Sequence, residues 1–282
     1  MKNKLSRFAV PYVVWMAIFV VAPILIMVVY AFSNADGGAT LDNFVQMGGY
    51  AAVFGRSFKL AIIATAICLL IGYPVSYFLS REGASFQKIA MVLIMLPMWM
   101  NFLLRTYSWM TILENNGLLN QLFQKLGIIA LYNSITGSNL EYFSMMNTQG
   151  AVVLGMVYNY LPFMILPIYS VIVKLDYSLL EAARDLGASP LHAFFTVTVP
   201  LTLSGLMAGC VLVFIPSTGL FFLNDLLGGS KTMLAGNLIQ SLMKSRDLPM
   251  ASTLSVLMLA VTGVVIALYR KAGGDADGLG LF

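Results

Sequence analysis

Glu181-Ala182-Ala183-Arg184-Asp185-Leu186-Gly187-Ala188-Ser189-Pro190, closing at Val199-Pro200, is a polar island between two long apolar runs. Ser178-Leu179-Leu180-Glu181 matches a capping box, with Ser178 as N-cap and Glu181 three positions on. Helix formers continue through Leu186. Gly187 is a natural stop, because glycine takes the left-handed conformation cheaply. Ser189-Pro190 restarts a helix, with Ser as N-cap and Pro at the first helical position. Pro200 marks the entry to the next apolar run. The code is helix, glycine bend, helix, span. Local physics leaves two readings open: a helix that merely connects two spans, or a charged surface gripped by something outside the membrane.

The rest of the chain is built for lipid. Its 282 residues are 59% hydrophobic and 10% charged, with mean hydropathy +0.86. A soluble domain is about 25% charged, so too few polar residues remain here to cover a soluble core. This is a polytopic membrane protein. The net charge of +4 reads as an orientation signal and not as a nucleic-acid patch. Cys68 and Cys210 sit inside apolar runs as buried thiols, and the single histidine, His192, reads as a surface residue. No metal site is expected. The 18 methionines read as membrane packing.

Six runs reach the roughly 17–25 residues that a spanning helix needs: Val10–Phe32, Phe58–Leu79, Ile89–Leu113, Gly150–Val173, Val199–Leu223 and Pro249–Tyr269. The first exceeds the roughly 7–15 residues of a signal-peptide core. It is therefore read as an uncleaved span, despite the basic Met1–Arg7 before it and Ser33-Asn34-Ala35 after it. Lys2, Lys4, Arg7, Arg81, Lys88, Arg270 and Lys271 cluster at one face. That places both termini, and the polar island, in the cytoplasm. The layout is then a first span with its outer loop over 1–57, a core of five spans over 58–269 with the island at 174–198, and a tail over 270–282. Ser33–Ser57 reads as irregular, Gly117–Gly127 as a short amphipathic helix on the membrane surface, and Gly273–Phe282 as disordered. Pro97 and Pro162 fall inside spans, as prolines in membrane helices often do.

The island's Glu181-Ala182-Ala183, with Gly187 four residues after Ala183 and Pro200 behind it, resembles the EAA loop of ABC importer permeases. Leu96-Pro97-Met98-Trp99-Met100-Asn101, Arg105-Thr106-Tyr107-Ser108-Trp109, Leu161-Pro162-Phe163-Met164-Ile165-Leu166-Pro167 and Asn224-Asp225-Leu226-Leu227-Gly228-Gly229 are similar to the permease subunits of spermidine/putrescine importers. The resemblance covers most of the chain from Phe58 to Tyr269. It implies an all-α membrane protein with six transmembrane helices, in the MetI-like fold of type I ABC importers, in the bacterial inner membrane. It implies that Glu181, Ala182, Ala183, Asp185, Gly187 and Pro200 couple the chain to a cytoplasmic ATPase. It implies a second homologous permease, two ATPase copies that bind ATP and Mg, and an external polyamine-binding protein. No cofactor is expected on this chain. Gly228-Gly229-Ser230-Lys231-Thr232 is no phosphate loop, because Ser230 separates the glycine from Lys231.

A polyamine carries ammonium groups on apolar methylenes, so a carboxylate beside aromatic faces suits it. Asp225, with Phe221 and Phe222, is the candidate pathway cluster, the alternative being an interfacial aromatic belt. Trp99 and Tyr158 join it as candidates, as do Asn159 and Tyr160, with plain helix packing as the rival role. Arg105 lies near the outer end of the third run, in the pathway or snorkelling to the interface. A secondary transporter would need an intramembrane chain of carboxylates, and an intramembrane enzyme would need a nucleophile–base pair or metal ligands. The spans offer neither.

Overall fold

A computed structural model describes residues 10–34, 38–176, 178–229 and 232–271. The basic N-terminus and the Gly- and Asp-rich tail, where disorder is expected, lie outside the described residues. Apart from one bridge between Ser33 and Ala39, the ordered elements are helical. In chain order they are α1 (Val10–Ala31), α2 (Asp42–Gln46), α3 (Ala51–Leu79), α4 (Ala84–Trp99), α5 (Phe102–Leu113), α6 (Leu118–Lys125) and α7 (Ile128–Thr136). There follow α8 (Gln149–Ile172), α9 (Ser178–Asp185), α10 (Pro190–Leu201), α11 (Leu203–Thr218), α12 (Phe222–Leu227), α13 (Ala235–Lys244) and α14 (Leu248–Lys271). Among the described residues, four helices are long and apolar enough to cross a bilayer, and two bent pairs bring the total to six if each pair makes one span.

In lipid, helices gain little by hiding apolar surface from one another. Close packing through small residues holds them together instead. That is what joins α3, α8 and α11. Met164 of α8 is fully buried. A Cβ placed on Gly72 of α3 would lie 2.9 Å from its Cγ, and one on Gly209 of α11 would lie 2.8 Å from its sulfur. One turn away, a Cβ on Gly205 would meet the Pro167 carbonyl oxygen at 2.8 Å. Gly155 gives the same clearance to Leu223 and Leu227 of α12. The hydroxyl of Ser76 donates to Ile165 O across the α3–α8 contact at 3.1 Å. α1 is peripheral: it leans on α14, where Thr253 Oγ1 donates to Ala31 O at 3.2 Å, and only Ala31 of its residues is buried.

Three sequence expectations change. The run Ile89–Leu113 is not one straight helix: α4 ends at Trp99 and the chain turns by 92° into α5 and α6. Pro97, expected to be tolerated within a span, precedes the break. The restart is coded by Asn101, whose side chain accepts from Leu103 N–H at 2.8 Å as an N-cap. Likewise Val199–Leu223 is divided. α10 and α11 meet at 67° around Thr202, α11 ends at Thr218, and Leu223 belongs to α12. The segment Ser33–Ser57 is largely ordered. Gly48 and Gly49 sit in a 3-10 turn, Met47–Tyr50, that feeds straight into α3.

The second bend has a cause in covalent chemistry. Proline has no N–H, so the helix before it must re-pair its carbonyls. In α10 a π turn spans Phe194–Thr198, and Val199 N–H reaches back five residues to Phe194 O, directly before Pro200. α1 uses the same device: a π turn over Ala17–Val21, with Ala22 N–H bonded to Ala17 O, directly before Pro23. Bulges of this kind keep the backbone bonded while redirecting the axis.

The small-residue contacts are testable. Gly205→Ala places a methyl against a backbone oxygen that cannot step aside, and the expected loss is about 1–3 kcal/mol, the usual cost of overpacking. Gly263→Ala in α14, where nothing lies within 4 Å of the added carbon, should leave stability unchanged. Thermal unfolding of the purified protein separates the two, and equal melting temperatures would refute the packing account.

Candidate functional site

The polar island folds at one end of the bundle. α9 carries Glu181 in its first turn and Arg184 in its last, the signs that a helix dipole favours. The expected Ser178 cap is displaced by two residues: Ser178 is helical, and its N–H donates to Asp176 Oδ1 at 3.0 Å. Bonds from the Ser178 backbone and hydroxyl hold the Asp176 carboxyl below its ordinary value. Its contribution is therefore present above the unfolded pKa and lost as pH falls through the folded one. At the far end, Gly187 has φ +88°, its N–H bonds Arg184 O, and Ala188 N–H bonds Ala183 O. These two bonds make a Schellman stop. Ser189 then caps α10 by accepting from His192 N–H, with Pro190 first in the helix. The helix, glycine bend, helix order of the sequence is the order of the structure.

The surface of this bend is unspent. Glu181, Arg184 and Asp185 are exposed and form no side-chain hydrogen bond or ion pair among the described residues. Leu186 is 90% exposed, Leu191 72% and Phe195 65%. Leu180 and Ala193 are buried on the opposite side. An apolar strip with charges around it is the composition of a docking surface.

The bend is braced to the bundle through residues that the sequence reading passed over. Phe194 stands edge-on to Tyr73 at 5.6 Å and to Tyr77 at 5.0 Å. Tyr73 hydroxyl shares a 2.7 Å buried hydrogen bond with Thr202, the residue at the α10–α11 bend. Thr202 Oγ1 also donates to Thr198 O at 2.8 Å, which pairs a carbonyl at the end of the π turn. Tyr73 and Tyr77, four apart on α3, share a helix face, and that spacing was the available signal.

The candidate pathway residues fall into a strip on another part of the molecule. Tyr158 on α8 meets Trp109 on α5 edge-on at 5.2 Å. The Arg105 guanidinium lies 5.7 Å from the Tyr158 ring and 5.8 Å from the Phe102 ring, and Phe102 meets Phe222 at 5.8 Å. Phe221 follows at 6.5 Å from Phe222. Arg105 Nη1 donates to Pro97 O at 2.6 Å, bridging the break between α4 and α5. Its Nε is buried without a partner. The faces of Tyr158 and Phe102 are thus already near a cation of the protein's own.

Asp225 is exposed at the end of this strip and accepts from the Asn237 amide. Asn237 also donates to Phe221 O at 3.0 Å. Asn224 donates to Asn237 Oδ1 at 2.8 Å and to Thr232 O at 2.6 Å. Asp225 therefore borders a buried amide network that fixes α12 against α13. Trp99 stands apart, 75% exposed at the helix break and without a ring contact among the described residues. Asn159 is buried and donates back to Gly155 O in its own helix at 2.9 Å, and Tyr160 packs beside Phe163 at 6.3 Å. Trp109 and Tyr158 also line an apolar groove of about 690 Å³ between α3 and α8.

Residues 72–271 match the family described as the binding-protein-dependent transport system inner membrane component. The chain belongs to that family. It is an ABC permease, a transport component of the inner membrane, with the MetI-like all-α fold. It is 39% identical over 280 residues to the spermidine/putrescine transport system permease protein PotB of Haemophilus influenzae, covering 96% of this chain and 94% of that one. To PotB of Escherichia coli K12 it is 38% identical over 267 residues, covering 92% and 94%. The same fold occurs in a bacterial alginate ABC transporter solved with an alginate pentasaccharide-bound periplasmic protein, at TM-score 0.73 and 16% identity over 96% of both chains. Both the strip and the bend of this permease lie within the matched residues.

The stop at Gly187 gives a local prediction. Open space surrounds the position, so Gly187→Ala suffers only the left-handed backbone penalty, about 1–2 kcal/mol. Hydrogen exchange at the amides of Gly187 and Ala188 should quicken several-fold, while those of α8 keep their protection.

Proposed function

We propose that this permease is a membrane-spanning subunit of an ATP-driven importer of polyamines, of the spermidine/putrescine class. The observation that carries the reading is the exposed, unpaired bend at Glu181–Gly187, braced to the bundle through Tyr73, in a chain similar over nearly its full length to spermidine/putrescine permeases. The bend is the coupling element. Both termini are cytoplasmic, and Glu181, Ala182, Ala183, Asp185, Gly187 and Pro200 form or orient the surface that a cytoplasmic ATPase grips. Covering Leu186, Leu191 and Phe195 would supply about 1.5–3 kcal/mol for each side chain fully buried.

The complete importer holds a homologous second permease, two ATPase copies and a periplasmic polyamine-binding protein. ATP and Mg²⁺ reside on the ATPases. ATPase closure moves the coupling helices, and the cavity between the two permeases turns outward to receive solute from the binding protein. Hydrolysis resets it. The strip from Trp109 through Tyr158 to Phe221, Phe222 and Asp225, with Trp99 at the helix break, forms this subunit's share of the wall. Weak contacts suit a conduit, because tight binding would stall release.

Proteoliposomes carrying the four components test this directly. Labelled spermidine should accumulate only with ATP, and excess putrescine should compete where an amino acid or a sugar does not. Glu181→Lys and Gly187→Phe should assemble in the membrane yet reduce ATP-driven uptake to background. Uptake at the unaltered rate by either variant would refute the coupling role.

A further inference from the structure

At the end of the bundle opposite the coupling bend, α5 and the segment before α8 enclose a cavity of about 440 Å³, within the range of about 300–1,000 Å³ usual for small-molecule sites. Its polar wall is made by Tyr107, Thr111, Glu114, Asn115, Ser144 and Asn147. Five of these side chains, all but Thr111, make no hydrogen bond or ion pair among the described residues. Two less exposed amides nearby are put to use: Asn120 bonds Glu114 O and Phe143 O, and Asn133 bonds Leu140 O. Here a carboxylate, a phenol, a hydroxyl and two amides, all exposed, line one open cavity without a protein partner among the described residues.

The electrostatics select the sign of a ligand. Glu114 is the sole charged residue of the wall. It directly follows the last residue of α5, so its carboxylate sits at the negative end of a helix dipole, where a cation and not an anion is favoured. No Lys, Arg or His among the described residues lies within ion-pair distance of it. The remaining wall groups supply oxygen acceptors.

The apolar lining selects the kind of cation. Met110 and Met146 complete the wall beside the Tyr107 ring. Thioethers and an aromatic face suit an organic ammonium on methylenes, through cation–π and apolar contact. A hydrated metal ion would want a shell of carboxylates, and no group of three metal-ligating side chains occurs among the described residues. The site is also held in place. Asn147 adopts φ +59°, and its N–H donates to Leu227 O at 2.9 Å, which anchors the segment to α12.

We propose that this cavity is an ammonium-binding site, the point at which the permease first receives an amino group of its solute. It rests on the polyamine reading above, and in the orientation proposed there it faces the binding protein. Glu114 pairs with the ammonium, Tyr107 covers its methylenes, and the amides of Asn115 and Asn147 accept its remaining N–H bonds.

The test uses the complete importer in proteoliposomes, with spermidine-loaded binding protein and labelled spermidine as the probe. Glu114→Gln is nearly isosteric and should lower the initial uptake rate about tenfold, the effect of losing one ion pair of moderate strength. Glu114→Asp should restore most of it. Glu141→Gln, an exposed carboxylate at the same end but outside the cavity, should change nothing. Should Glu114→Gln fail to assemble, Tyr107→Leu removes ring and hydroxyl from the same wall and carries the same expectation. Uptake by Glu114→Gln within twofold of the unaltered importer would overturn the site and leave the polyamine reading standing. An unaltered importer that moves no polyamine would overturn both.

Discussion

Everything in this subunit hangs from the contact at Met164. A thioether side chain is clamped between a glycine of α3 and a glycine of α11, so three helices approach more closely than any larger residue would permit. In lipid such packing substitutes for the hydrophobic drive that holds soluble cores. It fixes the axes of the three helices that carry everything else: Tyr73 and Tyr77 on α3, Tyr158 on α8, and the bend into α10 at the head of α11. Peripheral elements such as α1, with almost no buried residue, lean on this core and add little to it.

With the core rigid, the breaks become the informative parts. A backbone group left unpaired in hydrocarbon costs several kcal/mol, so each departure from a straight helix must find a partner. At Trp99 the partner is a cation: Arg105 reaches back to Pro97 O across the break. At Thr202 the Thr198 carbonyl takes both the backbone N–H and the hydroxyl of Thr202, and Tyr73 pairs that hydroxyl. Before Pro23 and Pro200 it is the backbone itself, through π turns. The guanidinium at the first break stands among the aromatic rings of the strip, and the hydroxyls at the second connect the Glu181–Gly187 bend to the core.

That distinction marks what was legible in the chain. The Glu181–Gly187 bend could be read almost residue by residue, because its signals are local: Gly187 for a left-handed stop, Ser189-Pro190 for a restart. Its one error, the cap at Asp176 instead of Ser178, is a contest between neighbouring capping residues that local rules do not resolve. The apolar runs were legible too, but not their breaks. A window of hydropathy cannot see that Arg105 will satisfy Pro97 O, since the bond forms only after the chain has turned. The Asn224–Asn237–Asp225 network was invisible for the same reason. Its members lie twelve or thirteen positions apart, and Asp225 alone, read without Asn237, looks like a free carboxylate. Gly205 and Gly209 passed unnoticed because a glycine's reason lies on the facing helix.

The Glu181–Gly187 bend and the opposite end of the bundle are linked by a continuous series of packed contacts. A push on Leu191 or Phe195 is felt by Phe194, which is wedged against two tyrosines of α3. Since α3 is clamped to α8 and α11 at Met164, the wedge cannot slide past it without moving Thr202 and tilting α11. The other end of α11 stops at Gly219, and a Cβ on Gly236 of α13 would come within 2.4 Å of the Gly219 oxygen. A tilt of α11 must therefore carry the α12–α13 unit with it. That unit bears Phe221, Phe222 and Asp225, and through Leu227 O it holds Asn147 at the cavity that Glu114 also lines. In the proposed importer the stroke of an ATPase would thus reach the solute-facing end through rigid contacts, with the Phe102–Phe222 ring contact, which a tilt can part, as the yielding joint between the moving unit and α5.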